Sequence, residues 1–283
     1  MSIALVTNGF FVNDKTEEIR RLLADGFLSH GVRPIQLRNS ELYADVTERL
    51  AGVDTVLFWD KDVLLARRIE AIGKKVINCS EALELCDHKG KSAVALDRAG
   101  IDMPKTIVAP FTYQNIGYTS LDFLSEVTKA LDFPIVVKEC HGSFGQQVYL
   151  ARNYGELCEI VTKTAARPIV FQQYIECGSS DLRLQVVGDR VVAAVKRTSQ
   201  NGDFRANATL GGIMTDYKPT ADEIELALAA ARAVKAEIAG VDILPADKPL
   251  LCEVNANAHF KRLMDATGVD VASIIAEYVI DRV

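Results

Sequence analysis

Over roughly the first eighty residues, strand-length apolar runs alternate with helix-length amphipathic stretches, and this alternation restricts the fold more than any other feature. Ile3–Thr7 and residues 34–37, 55–58 and 75–78 read as strands, whereas 15–30 and 63–72 repeat apolar residues at helical spacing. Such a chain builds a parallel sheet covered on both faces. Ligands of these sheets sit beyond the carboxyl ends of the strands, which turns Thr7, Asn8 and Gly9, and then Trp59 and Asp60, toward a cleft. No G-x-G-x-x-G follows the first strand, so a dinucleotide-dependent dehydrogenase is excluded.

The pattern changes at Ser80, which caps a short helix carrying Glu84; residues 88–98 form a second helix that stops before Gly100. A strand over 103–109, a helix over 121–131 and a buried strand over 133–138 follow, the last ending on Lys138. Further on come a strand at 169–175, a hairpin of 182–187 and 190–196 turning on Gly188 and Asp189, a helix over 221–239, a strand over 249–254 and a helix over 271–281. The 283 residues therefore divide into three small α/β units, 1–86, 87–170 and 171–283.

Charge excludes some functions. With a net charge of −6 and no Lys/Arg-rich run, the chain has no electrostatic footprint for wrapping nucleic acid or lying on an anionic membrane. The N-terminus enters a strand pattern without the basic and apolar regions of a signal peptide, and no apolar run is long enough to span a bilayer, so the expected location is cytoplasmic. Cys79, Cys86, Cys140, Cys158, Cys177 and Cys252 lack zinc-site spacing and read as reduced, mostly buried thiols, Cys140 included.

Three constellations carry chemistry. In the first, Lys138 ends a strand and the loop Gly142, Ser143, Phe144, Gly145 follows: glycines let backbone amides approach a polyphosphate, and the lysine supplies countercharge. The order is not that of a Walker A loop, and a plain hairpin turn with an incidental lysine is the alternative. In the second, Asp242 ends one apolar segment, while Glu253 and Asn255 alternate on one strand and so face one side of the sheet. Hard oxygen donors of this kind suit magnesium; two solvated strand-end acids are the alternative, though an acid within an apolar strand needs a partner. The third is a set of arginines, Arg183, Arg197 and Arg205, either surface residues or bidentate grips on phosphate or carboxylate.

In order along the chain stand Asp87-His88-Lys89, Val136-Val137-Lys138 with the loop to Gly145, Gln172-Gln173-Tyr174-Ile175, Asp181-Leu182-Arg183, Gly202-Asp203-Phe204-Arg205-Ala206-Asn207 with Gly211-Gly212, Gly240-Val241-Asp242, Glu253-Val254-Asn255 and Ala266-Thr267-Gly268-Val269-Asp270. From about Ser80 onward this series resembles the ATP-grasp superfamily, and within it the RimK-type glutamate ligases. The resemblance implies an α+β ATP-grasp fold behind an N-terminal parallel α/β domain, and an ATP-dependent ligase that joins a carboxylate to an amine through an acyl phosphate. It implies ATP and Mg2+ (or Mn2+), with Lys89, Lys138 and the loop Gly142, Ser143, Phe144 and Gly145 on the phosphates. Gln172, Gln173, Tyr174 and Ile175 match the adenine hinge. Asp181 and Asn207 match cofactor-side positions, and Arg183, Arg197 and Arg205 the phosphate and acceptor side. Asp242, Glu253 and Asn255 match the metal ligands. The substrates would be a carboxylate and an amine such as glutamate, and the chain a homo-oligomer, dimer or tetramer.

The chain departs from the family pattern twice. Gln173 stands where a hinge glutamate is usual, and Asn257, Ala258, His259, Phe260, Lys261 and Arg262 replace the usual segment after the metal strand. The second change touches the acceptor side, hence the substrate. A nucleotide-binding regulatory protein that has lost the chemistry is the competing reading.

Overall fold

The computed structural model describes residues 2–142, 145–200 and 212–283. Three sheets divide the work. The first contains β1 (Ile3–Thr7), β2 (Ile35–Arg38), β3 (Thr55–Trp59) and β4 (Lys75–Ile77), all parallel in the order β2-β1-β3-β4. Helices α1 (Asp14–Ser29), α2 (Val46–Arg49) and α3 (Val63–Ala71) link these strands. The start of α1 is set by its own residues: the Asn13 side chain accepts from the Thr16 amide while Thr16 returns a hydroxyl to Asn13, and Asp14 and Glu17 suit the positive end of the helix dipole.

Helices α4 (Ser80–Asp87) and α5 (Lys89–Arg98) lead to a second sheet. It holds β5 (Thr106–Val108), β6 (Ile135–Glu139), β7 (Val148–Ala151) and β8 (Ile169–Gln173) in the antiparallel order β5-β8-β6-β7. Helices α6 (Leu124–Ala130) and α7 (Tyr154–Thr164) cover it over a core drawn entirely from its own neighbourhood, including Leu124, Ile135, Leu157 and Phe171.

The third sheet runs β11-β10-β9-β12-β13, from β9 (Ser180–Val187), β10 (Arg190–Thr198), β11 (Ile213–Asp216), β12 (Ile238–Leu244) and β13 (Leu250–Asn255). Helix α8 (Ala221–Ala233) packs on it, and α9 (Lys261–Thr267) and α10 (Val271–Ile280) close the chain. The helix expected over 221–239 ends early. After Ala233 the chain turns through Lys235 at φ +58, and residues 238–239 already belong to β12. That strand is buried along nearly its whole length, so its sequence lacks the polar alternation that marks a half-exposed strand.

The first and third sheets share a core: Ile3, Leu5, Leu23 and Phe27 pack with Ile238, Phe260, Val271 and Ile275. Gly26 of α1 allows this approach, because a Cβ there would lie 2.5 Å from the Ala272 carbonyl oxygen of α10. Asn78, buried at the end of β4, is the polar seam. Its Nδ2 donates to the Ile238 and Ala256 carbonyls at 2.8 and 2.9 Å, and its Oδ1 accepts from the Glu237 and Ile238 amides at 2.8 and 2.9 Å. Among the described residues no helix is long and apolar enough to cross a membrane.

Candidate active site

A cleft lies between the second and third sheets. One wall carries Lys89 at the start of α5, Lys138 at the end of β6 and Gln172 of β8; the other carries Leu251, Cys252 and Glu253 of β13. Three successive strand residues line one cleft because β13 has a bulge: Asp242 pairs with Glu253 but Ile243 with Leu251, leaving Cys252 as the extra residue. Strict alternation would have turned Cys252 away.

Lys89 spans the cleft. Its Nζ sits 3.2 Å from Glu253 Oε1 and donates to the Gly142 carbonyl at 3.4 Å, while its amide donates to the Cys140 carbonyl at 2.9 Å. Lys138 is different. Its Nζ approaches Cys252 Sγ at 3.9 Å, and no carboxylate among the described residues comes within ion-pair distance of it. The loop after β6 runs into β7 rather than a helix, and Gly145 takes a left-handed φ of +73. Gln172 donates to Thr106 Oγ1 at 2.9 Å, the Gln173 amide to the Lys105 carbonyl at 2.9 Å and the Tyr174 hydroxyl to Glu176 at 3.0 Å, with Ile175 next along the connection.

Under the Glu253 wall lies a chain of alternating charge. Arg197, with a side chain only 5% exposed, holds Asp181 bidentately at 2.5 and 2.6 Å and reaches Asp242 at 3.0 Å. Arg183, 14% exposed, grips the same Asp242 bidentately at 2.7 and 2.6 Å. Two acids and two guanidinium groups make a neutral quartet, which removes the large cost of burying any one of these charges alone. Burial pushes the Asp242 carboxyl up, but the two arginines overcome this and hold it below the ordinary carboxylate range. Burial wins at Asp181, which shares its guanidinium and is raised.

Arg183 thus reaches the cleft side of the sheet, and Arg197 lies beneath it with its hydrogen-bonding edge occupied. Asp181 faces Arg197 rather than the cleft. Asn255 joins the acids through Nδ2, 3.5 Å from Asp242 Oδ2. Asp242, Glu253 and Asn255 therefore meet as two carboxylates and an amide. This is the hard-oxygen donor set of a small divalent cation that completes its shell with water and phosphate. No cluster of three or more His, Cys, Asp or Glu able to hold a metal occurs among the described residues. Ser143, Phe144, Arg205, Asn207 and Gly211 lie outside the described residues.

The carboxyl ends of β1 and β3 lie side by side and bond to each other. Asn8 Nδ2 donates to both oxygens of Asp60 at 2.9 and 3.2 Å, Arg38 donates to Thr7 Oγ1 and the Asn8 carbonyl at 3.0 Å each, and the Gly9 amide donates to Asn39 at 2.9 Å. The segment after β13 is fastened to this edge. Asn257 Nδ2 donates to the Asp60 carbonyl at 2.7 Å, His259 Nε2 lies 3.2 Å from the Lys15 carbonyl, and buried Phe260 meets Trp59 edge-on. Burial lowers the His259 pKa, and with it the neutral ring is favoured. Of the six free cysteines only Cys140 is fully buried; burial pushes Cys86 up to about 12 and Cys252 to about 11, which leaves both as inert thiols.

Sequence reasoning missed the Asp181–Arg197 pairing, the Cys252 bulge and the Asn78 seam. Among the unforeseen elements, α2 and α7 carried a readable signal: Asp45 accepts from the Glu48 amide at 2.9 Å and Asn153 from the Glu156 amide at 3.0 Å, an N-cap followed three residues on by glutamate.

Two lobes facing each other across a cleft, lysines on one and an acidic strand pair on the other, define an ATP-grasp protein. The fold agrees with the solved RimK domain ATP-grasp protein of Sphaerobacter thermophilus, TM-score 0.73 at 20% identity over 99% of this chain and 100% of that one. The model of the RimK-like ATP-grasp domain matches residues 86–279, and the chain belongs to that family. It is 35% identical over 217 residues to the ribosomal protein bS6–L-glutamate ligase of Escherichia coli O7:K1, covering 75% of this chain and 70% of the relative. To a probable alpha-L-glutamate ligase of Trichodesmium erythraeum it is 34% identical over 218 residues, covering 76% and 70%. It is an ATP-dependent ligase of the class that forms carbon–nitrogen bonds.

Proposed function

We propose that the chain activates a substrate carboxylate as an acyl phosphate at the expense of ATP and couples it to an amine, with an amino acid such as glutamate as the amine and a peptide or small metabolite as the carboxylate. The observation that carries this reading is Lys138, a cation without a carboxylate partner among the described residues, facing the Glu253 wall across one cleft. A carboxylate resists amines because oxide would have to leave. Transfer of the terminal phosphoryl group to a carboxylate oxygen releases ADP; attack by the amine then expels phosphate and loses one proton as the amide forms.

In this scheme Lys89, Lys138 and the loop from Gly142 to Gly145 bind the phosphates and neutralise charge on the moving phosphoryl group. Gln172 to Ile175 receive the base. Arg183 orients the acceptor side, Arg197 supports it from below, and Arg205 and Asn207 are assigned there from the sequence alone. Asp242, Glu253 and Asn255 hold Mg2+ or Mn2+, which when bound adds electrostatic stabilisation of phosphate oxygens. Closing the lobes keeps water from the acyl phosphate. The glutamate in the relatives' names supports an amino acid as the amine. The segment from Asn257 to Arg262 is where a different carboxylate partner would be selected.

The test is ADP and phosphate release from ATP and Mg2+ with a panel of carboxylates crossed against amino acids, with hydroxylamine added in parallel. Release that needs both substrates, and a hydroxamate formed from the carboxylate alone, is the expected result. Tight ATP binding with no release for any pair would overturn it in favour of a regulatory nucleotide-binding protein.

A further inference from the structure

Each carboxylate assigned to the cation is already neutralised by a cation of the protein. Glu253 faces Lys89 at 3.2 Å, and Asp242 is held bidentately by Arg183 and from below by Arg197. The cations differ in freedom. Arg197 is locked in place by Asp181, whereas Arg183 and Lys89 keep part of their side chains, 14% and 15%, exposed. With Lys138 included, four cations stand against three carboxylates among the described residues, so the site carries net positive charge before any ligand arrives. A bare divalent cation would have to displace Arg183 and Lys89 into a region already positive. A polyphosphate anion removes that obstacle by receiving both groups as they leave their acids.

We propose that Arg183 and Lys89 are exchangeable counter-ions that couple the two ligands, so that the divalent cation enters the Asp242–Glu253–Asn255 site only in company with a polyphosphate, Arg183 swinging from Asp242 to the anion. The exchange rests on the cation assignment made above. It makes Arg183 a residue with two alternative partners, and Arg197 the fixed one that keeps Asp242 in place during the swap. The linkage is reciprocal: the anion tightens the cation as much as the cation tightens the anion.

The experiment is Mn2+ binding to the full chain, read from the electron paramagnetic resonance signal of free Mn2+, without nucleotide and with a non-hydrolysable ATP analogue. Nucleotide-free Mn2+ binding is expected to be weak in the native protein and to tighten by about tenfold or more in Arg183→Gln, since one like charge leaves the cation's surroundings. The same variant should lose affinity for the analogue. Lys89→Gln is expected to act in the same direction, and serves if Arg183→Gln fails to fold by circular dichroism. Glu253→Gln separates the two levels of argument. If Glu253→Gln leaves Mn2+ binding unchanged even with the analogue, the cation assignment itself is wrong. If Glu253→Gln weakens Mn2+ but both Arg183→Gln and Lys89→Gln leave nucleotide-free binding unchanged or weaker, the assignment stands and the exchange is overturned.

Discussion

Replacing Arg197 with methionine should separate support beneath the site from chemistry at its surface. The side chain is almost wholly buried and supplies both hydrogen bonds that Asp181 receives from a cation, at 2.5 and 2.6 Å. Asp242 loses less, because Arg183 still grips it at two points. The variant therefore leaves one uncompensated buried carboxylate, a defect that costs about 3–5 kcal/mol. In a chain of this size that lowers the thermal midpoint by on the order of 10 °C. Burial already raises the Asp181 pKa, and loss of the guanidinium raises it further. A carboxyl whose folded pKa exceeds its unfolded one favours the native state when protonated, so the deficit should be largest near neutrality and shrink as pH falls through the raised value. Urea unfolding of both proteins at several pH values measures it. The double variant Arg197→Met with Asp181→Leu should recover most of the loss, as apolar pairs often replace buried ion pairs without penalty. A single-variant loss below about 1 kcal/mol, or a double variant no more stable than the single, would refute the account of the quartet.

Glu253→Gln should lower ADP release by on the order of 100-fold or more while leaving the circular dichroism spectrum unchanged; undiminished turnover would remove Glu253 from the site. Asn78→Ala should cost at least about 2 kcal/mol in urea unfolding, because it strips hydrogen bonds from buried backbone groups of Glu237, Ile238 and Ala256. The folded pKa of His259 lies below its ordinary 6.5, so the neutral ring contributes stability above that pH and the contribution is lost as pH falls through the lowered value. His259→Gln should accordingly flatten the acid side of the stability profile, and an unaltered profile would show that the ring does not matter there.

Much of this architecture was legible because its signals are local. The alternation of runs such as Ile3–Thr7 with the helix pattern over 15–30 announces the parallel sheet, and Gly188-Asp189 announces the β9–β10 hairpin. Lys138 was legible because it comes at the end of a strand ahead of a glycine loop, whereas Lys89 was marked only by the family resemblance. Arg197 was not. Counting outward from the turn, Arg190 pairs with Val187, and an unbroken ladder would set Arg197 opposite Ser180; a register shift between Val191 and Ala193 sets it opposite Asp181. One extra residue thus decides whether an arginine neutralises a buried acid, and no residue type near Val192 announces the bulge. The same holds at Cys252, whose bulge turns an unremarkable apolar strand into a cleft wall.

The shared core of the first and third sheets bears on the order in which the molecule can be made. As the chain is synthesised, β1 and α1 emerge long before α10, yet Ile3, Leu23 and Phe27 are covered in part by Val271, Ile275 and Val279. The first sheet must therefore wait with an apolar face uncovered, a state that invites chaperone binding or aggregation. The sheet of β5 to β8 draws its core only from residues between Ile107 and Phe171, so it can close by itself on the ribosome. The middle of the sequence then folds first, and its two ends are joined last.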